Sequence, residues 1–294
     1  MSVKPISILV FVVLIVSCGS SKQTISTTPT EASVQVEQPQ DNNVPLKPEE
    51  TTETALEVQS TEPIETVITE PELITNTETK VFDHNTWNEL LQKHVSIKGH
   101  VNYKSFLKDK SQLKAYINNL TQNLPQDHWN TNETLAYWIN AYNALTIDLI
   151  LRNYPLKSIK DLKDPWDQRL WKFGSKWYNL NTIEHQILRK MNEPRIHFAI
   201  VCASVSCPKL QNFAFNSSKL NEQLDRATKE FLSDETKNQL SENHIKLSKI
   251  FKWFGNDFKS NTSNLIDFLN QYTDFTILNT AKKSYIDYNW DLND

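Results

Sequence analysis

The sequence predicts an α+β fold, a mostly helical single domain with a small, mostly antiparallel sheet, over residues 81–294. Three observations carry it. Residues 132–153 are apolar nearly all round, as a central buried helix is. Helical segments outnumber strands. The strands are short and too irregularly spaced for alternating βαβ units.

Taken in order, residues 86–95 and 108–120 show apolar residues at helical spacing, for example Leu113, Ile117 and Leu120. In the central helix Leu135, Trp138, Ile139, Tyr142, Leu145 and Leu149 mark one face. Ala136, Ala141, Ala144 and Ile147 fill most of the rest. Asn132 is placed to cap its start, and Tyr154-Pro155 ends it. Residues 171–173 and 176–180 flank Gly174-Ser175, with glycine where a type II′ hairpin needs it. Asn181 starts a helix, with Glu184 three residues on as in a capping box, and Pro194 follows its end. Residues 195–202 alternate, both faces are largely apolar, and the segment reads as a buried strand. Residues 218–232 form an amphipathic helix through Leu220, Leu224, Ala227 and Phe231. A short strand (244–248), a helix (264–272) and a last strand (284–290) complete the domain.

The first eighty residues have a different character. Lys4 precedes an apolar run, 6–16, that is too short to span a bilayer and suits a signal peptide. Ile15-Val16-Ser17-Cys18 resembles a lipobox, so 1–17 are expected to be a cleaved signal and Cys18 a lipidated N-terminus. Residues 18–80 are rich in Thr, Ser, Glu, Gln, Asn and Pro. From 19 to 80 the net charge is −9, too polar to offset the entropy of ordering, and a disordered tether is expected. The whole chain carries −4; removing this −9 and the +1 of Lys4 leaves +4 on residues 81–294. That modest charge gives no footing for nucleic-acid binding. The expected setting is a bacterial envelope, lipid-anchored, with the outer membrane preferred and either face open. The partners are the membrane and an envelope protein or peptide-like ligand.

No phosphate-binding glycine loop, His-Glu-x-x-His, Gly-x-Ser-x-Gly or Cys-x-x-Cys occurs, so no cofactor is called for. Polar residues inside apolar segments are more informative. Asn140 and Asn143 share a face of the central helix, and buried amides must find partners. They are either a structural network or the lining of a site. His197 lies among apolar neighbours and Asp287 within an aromatic segment. A buried carboxylate needs a partner, and His197 or an arginine is expected to supply it. Glu184 is either the capping-box residue or a site residue, and His185 adjoins it. Cys202 and Cys207 are the domain's two cysteines. They form a disulfide, as an oxidising compartment favours, or leave Cys202 as a free nucleophile. A metal set of His197, Cys202 and Cys207 lacks a fourth ligand and standard spacing, so none is expected.

Four stretches carry a resemblance: 137–144 (YWINAYNA), Ile183-Glu184-His185, 195–208 (RIHFAIVCASVSCP) and Tyr285-Ile286-Asp287-Tyr288. Occurring in that order, they resemble the domain of unknown function 547 family over roughly residues 90–294. Its members include bacterial secreted or anchored proteins and plant proteins, and the resemblance implies no reaction. A weaker likeness is to papain-like and transglutaminase-like folds. There the corresponding order would be Asn140, His197, Asp287, with Asn140 where those enzymes have cysteine.

Two function classes follow. One is a thiol-dependent hydrolase or transferase on amide or peptide substrates. Cys202 would be its nucleophile, His197 or His185 its base, Asp287 the orienting group and Asn140 an oxyanion donor. In a regular strand His197 and Cys202 would point to opposite faces, so a bend after Val201 is required or His185 must serve. The other is a non-catalytic binding or scaffolding module, with Trp166, Trp171, Trp177 and Tyr178 as a partner surface.

Overall fold

The computed structural model describes residues 81–259 and 262–294. The signal peptide, Cys18 and the tether lie outside the described residues.

Helices α1 (Asn85–His94), α2 (Tyr103–Phe106) and α3 (Lys110–Gln122) bury Trp87, Leu90, Tyr103, Phe106, Leu113 and Leu120 in one apolar cluster with α4 (Thr131–Asn153), on which α3 packs directly. In α4 every residue from Leu135 to Leu151 is buried. Its cap is Asn130 rather than Asn132. The Asn130 side chain accepts from the Glu133 N–H and Glu133 returns a bond to the Asn130 N–H. That reciprocal box satisfies two amide donors that helix geometry leaves free. Among the described residues no helix is long and apolar enough to cross a membrane.

Strands β1 (Trp171–Phe173) and β2 (Lys176–Tyr178) pair antiparallel, Trp171 opposite Tyr178, as the turn residues predict. Gly174 has φ +54 while Ser175 stays outside the left-handed region, which fits a type II′ turn. Trp171 is buried with its indole N–H on Asp148, and Tyr178 stacks on Trp138. Of the four aromatics proposed as one partner surface, Trp177 is the exposed one.

The next segment departs from expectation twice. Residues Thr182–Ile187 form a π-helix followed by a 3₁₀ turn, Leu188–Met191. No capping box forms at Asn181. Asn179 accepts from the Thr182 N–H, and Glu184 turns inward instead. Residues 195–202 are not a strand. Pro194–Phe198 is a 3₁₀ helix with Pro194 at its start and Glu193 accepting from the Arg195 N–H. An apolar run this short suits any buried backbone, so its alternation did not specify a strand.

Helix α5 (Leu220–Ser233) matches its amphipathic pattern. Strand β3 (Gln239–Leu240) pairs antiparallel with β4 (His244–Leu247). Helices α6 (Ile250–Trp253) and α7 (Leu265–Asn270) follow. The last strand, β5 (Lys282–Tyr285), lies earlier than expected and runs parallel to β4. The fold is therefore α+β with small sheets. Two apolar clusters form the core. One surrounds α4; the other holds Phe198, Phe231, Leu247, Phe251, Phe258 and Phe268.

Candidate functional site

A cavity of about 190 Å³ opens between α4, the π-helix, the 194–208 segment, α6 and the C-terminal residues. Tyr142, Glu184, His185, His197, Cys202, Cys207 and Tyr288 contribute polar groups to its wall. Trp166, Trp253, Phe254 and Trp290 supply aromatic surface to its apolar lining.

The cysteine loop is held by the end of the chain. Ala203 sits at φ +58, and the Cys207 N–H donates to Ser204 O, which folds the backbone back on itself. Val205 and Ser206 N–H groups donate to Asp291 O and Asn289 O, and Asn293 N–H donates to Ala203 O. Asn293 in turn accepts from the Tyr103 hydroxyl at 2.7 Å, inside the core. This strap also delivers Tyr288.

The result is a compact sulfur cluster. Cys202 Sγ and Cys207 Sγ lie 2.6 Å apart. The Cys202 N–H donates to Cys207 Sγ at 2.9 Å. Ser204 Oγ and Tyr288 Oη lie 3.1 and 3.2 Å from Cys202 Sγ. Burial pushes the Cys202 thiol well up, and the neighbouring Cys207 sulfur adds to this. Burial also raises Cys207, but the Cys202 thiol, the Tyr288 hydroxyl and the Cys202 N–H outweigh it and bring Cys207 to about 7. The pair therefore loses one proton readily and the second with difficulty, as coupled groups do. Among the described residues no imidazole lies within hydrogen-bonding distance of either sulfur.

The two histidines of the cavity have their protons set by their partners. His197 Nε2 is 2.8 Å from Asp257 Oδ2. Burial lowers the His197 pKa, with Asp257 opposing. Burial also opposes ionisation of Asp257, but bonds from Arg189 and His197 hold its carboxyl well below the usual range. A carboxylate only accepts, so Nε2 carries the proton and Nδ1 keeps its lone pair. His185 Nδ1 lies 2.8 Å from Arg189 Nη1. A guanidinium only donates, so that nitrogen accepts and Nε2 carries the proton. His197 also borders a second cavity, with Arg189, Asn256 and Asp257. Glu184 accepts from the Tyr142 hydroxyl at 3.0 Å, and burial raises its pKa against the pull of His185.

Residues 126–232 match the family model described as "Protein of unknown function, DUF547". No curated protein and no solved structure matches the chain. The DUF547 match spans α4, the hairpin, the π-helix, both cysteines and α5. It stops before Asp257 and before the Tyr285-Ile286-Asp287-Tyr288 stretch, so it is narrower than the resemblance read over 90–294.

Of the expected site residues, His185, Glu184, His197 and Cys202 share the cavity. Asn140 does not. Its amide donates to Phe215 O at 2.8 Å and accepts from Phe215 N–H at 2.9 Å, away from the cavity lining. Asp287 does not either. Its side chain is fully exposed (103 %) and pairs with Lys249, while Asp257 takes the place beside His197. The expected bend after Val201 is unnecessary, because no strand exists there. Sequence reasoning missed Asp257, Arg189, Tyr142 and Ser204. Ser204 lay inside a quoted stretch. Asp257, in the Gly255-Asn256-Asp257 turn, carries no periodic signal. Among the described residues no three His, Cys, Asp or Glu side chains converge as metal ligands.

Proposed function

We propose that the domain is a thiol-dependent transferase or hydrolase acting on amide or peptide substrates, held in the cell envelope by a lipid on Cys18. The observation that supports it is a single cavity containing a partly exposed thiol beside a second thiol, with two imidazoles of opposite hydrogen-bonding character. Cys202 is the nucleophile, and its proton passes to Cys207 across their contact. The substrate carbonyl sits at the cavity wall, where His185 Nε2–H is a donor for the developing oxyanion. The Cys207 thiol then gives that proton to the leaving amine, and His197, oriented by Asp257, accepts a proton from the attacking water at Nδ1. Asn140 and Asp287 have no part in this scheme.

The test uses the reduced full-length chain with p-nitrophenyl acetate as acyl donor, read by intact mass and peptide mapping. The expected result is one acetyl group on Cys202 that turns over, absent in Cys202→Ala. His197→Ala should acylate but turn over about a hundredfold more slowly. A folded, reduced chain whose Cys202 is never acetylated overturns the reading and leaves a non-catalytic binding module.

A further inference from the structure

We propose that Cys202 and Cys207 are a two-electron dithiol–disulfide couple that exchanges with small thiols and disulfides entering the aromatic cavity. The proposal shares the cavity with the acyl-transfer reading but needs neither histidine.

Its first support is preorganisation. The turn at Ala203 and the strap from 289–293 bring the two sulfurs into contact, so joining them requires no rearrangement of distant chain. Its second support is asymmetry. Cys202 is partly exposed at the cavity wall, whereas Cys207 is 5 % exposed. An exchanging pair needs one sulfur that meets the substrate and one that resolves the adduct. Its third support is the donor set. Burial in apolar surroundings disfavours a thiolate, yet here the Cys202 N–H faces Cys207 Sγ and the Ser204 and Tyr288 hydroxyls face Cys202 Sγ. The charge rests on Cys207 and reaches Cys202 by proton exchange across the contact between the two sulfurs.

The balanced reaction is Cys202–SH plus Cys207–SH plus RSSR giving the Cys202–Cys207 disulfide plus two RSH. Cys202 thiolate attacks one sulfur of RSSR, the S–S bond breaks, and RS⁻ leaves and takes a proton. Cys207 thiolate then attacks Cys202 Sγ in the mixed disulfide and releases the second RS⁻, which is also protonated. The external disulfide is reduced and the cysteine pair oxidised.

The experiment equilibrates the full chain in buffers of graded oxidised-to-reduced glutathione ratio. Acid quenching, alkylation and peptide mapping then separate Cys202 and Cys207 from Cys18. The expected result is one reversible transition in which both thiols lose alkylation together and a 202–207 bridged peptide appears. Cys207→Ser should trap glutathione on Cys202, reversibly. Cys202→Ser should glutathionylate Cys207 at least about tenfold more slowly, because that sulfur is buried. Wild-type cysteines that stay separately alkylatable across the series overturn the proposal, as does unresolved glutathione on wild-type Cys202. Loss of acetyl turnover with an intact redox transition would remove the transferase reading and leave this couple standing. The opposite pattern would do the reverse.

Discussion

Two groups of buried polar side chains lie along α4, and they differ in how their hydrogen bonds close. Asn140 and Asn143 each use both amide functions on one stretch of backbone. Asn140 takes the N–H and C=O of Phe215, and Asn143 takes Ala199 O and Val201 N–H. These bonds imitate a strand ladder where no strand exists, and both amides point at backbone rather than at the cavity. The Cys202–Cys207–Tyr288 cluster and the Glu184–Tyr142 pair are different. Their groups are ionisable, hydrogen-bond to one another and line a cavity. Closed amide pairs hold a fold together. Titratable groups held by incomplete, shared bonds beside empty space can do chemistry.

The largest expected effect breaks the closed set. Asn143→Leu leaves Ala199 C=O and Val201 N–H buried and unpaired, and should cost about 2–5 kcal/mol in urea unfolding. A loss below about 1 kcal/mol would contradict the reading of this amide as structural. In the molecules that stay folded, Cys202 alkylation should be unchanged.

A smaller effect sharpens the other side. The native Glu184 carboxyl has a raised pKa through burial, so the unfolded chain ionises first, at about 4.3. Above that value the native state holds the extra proton, and stability falls as pH rises toward the native pKa. Glu184→Gln keeps an acceptor for Tyr142 and removes this dependence. Urea midpoints should show the variant gaining on wild type at pH 8 and equalling it at pH 4. A variant that loses stability at pH 8 would mean that the ionised carboxylate is structural.

The smallest effect is at Asp287. Its pKa is lowered by Lys249, but it is fully exposed, and such surface pairs contribute little. Asp287→Asn should leave both the unfolding midpoint and the rate of Cys202 alkylation unchanged. A clear fall in alkylation would return this residue to the site.

Particular residues show where the sequence was readable. Helix α4 was legible because its apolar residues recur over many turns, and its end was marked by Tyr154-Pro155. The hairpin was legible because Gly174-Ser175 restricts the turn chemistry. The 195–202 segment was not. Pro194, the Glu193 cap and the Asn143 side chain replaced the ladder bonds that its alternation suggested. Glu184 read equally as a local cap or a site residue; Asn179 does the capping, and the carboxyl pairs with Tyr142 on another helix.

By itself, the sequence determined the fold class, the burial of α4 and the candidate status of Cys202, Cys207, His185 and His197. Periodicity, turn residues and scarce reactive side chains are local properties that can be read along the chain. Only the tertiary structure decided which carboxylate meets which histidine. Asp257 lies sixty residues from His197 and reaches it because α6 and the turn after it pack on the 194–198 helix. Asp287, set in an aromatic segment, was carried to the surface because β5 ends at Tyr285 and leaves that side chain in solvent. Long-range pairing depends on how separate elements pack, and no local pattern encodes that.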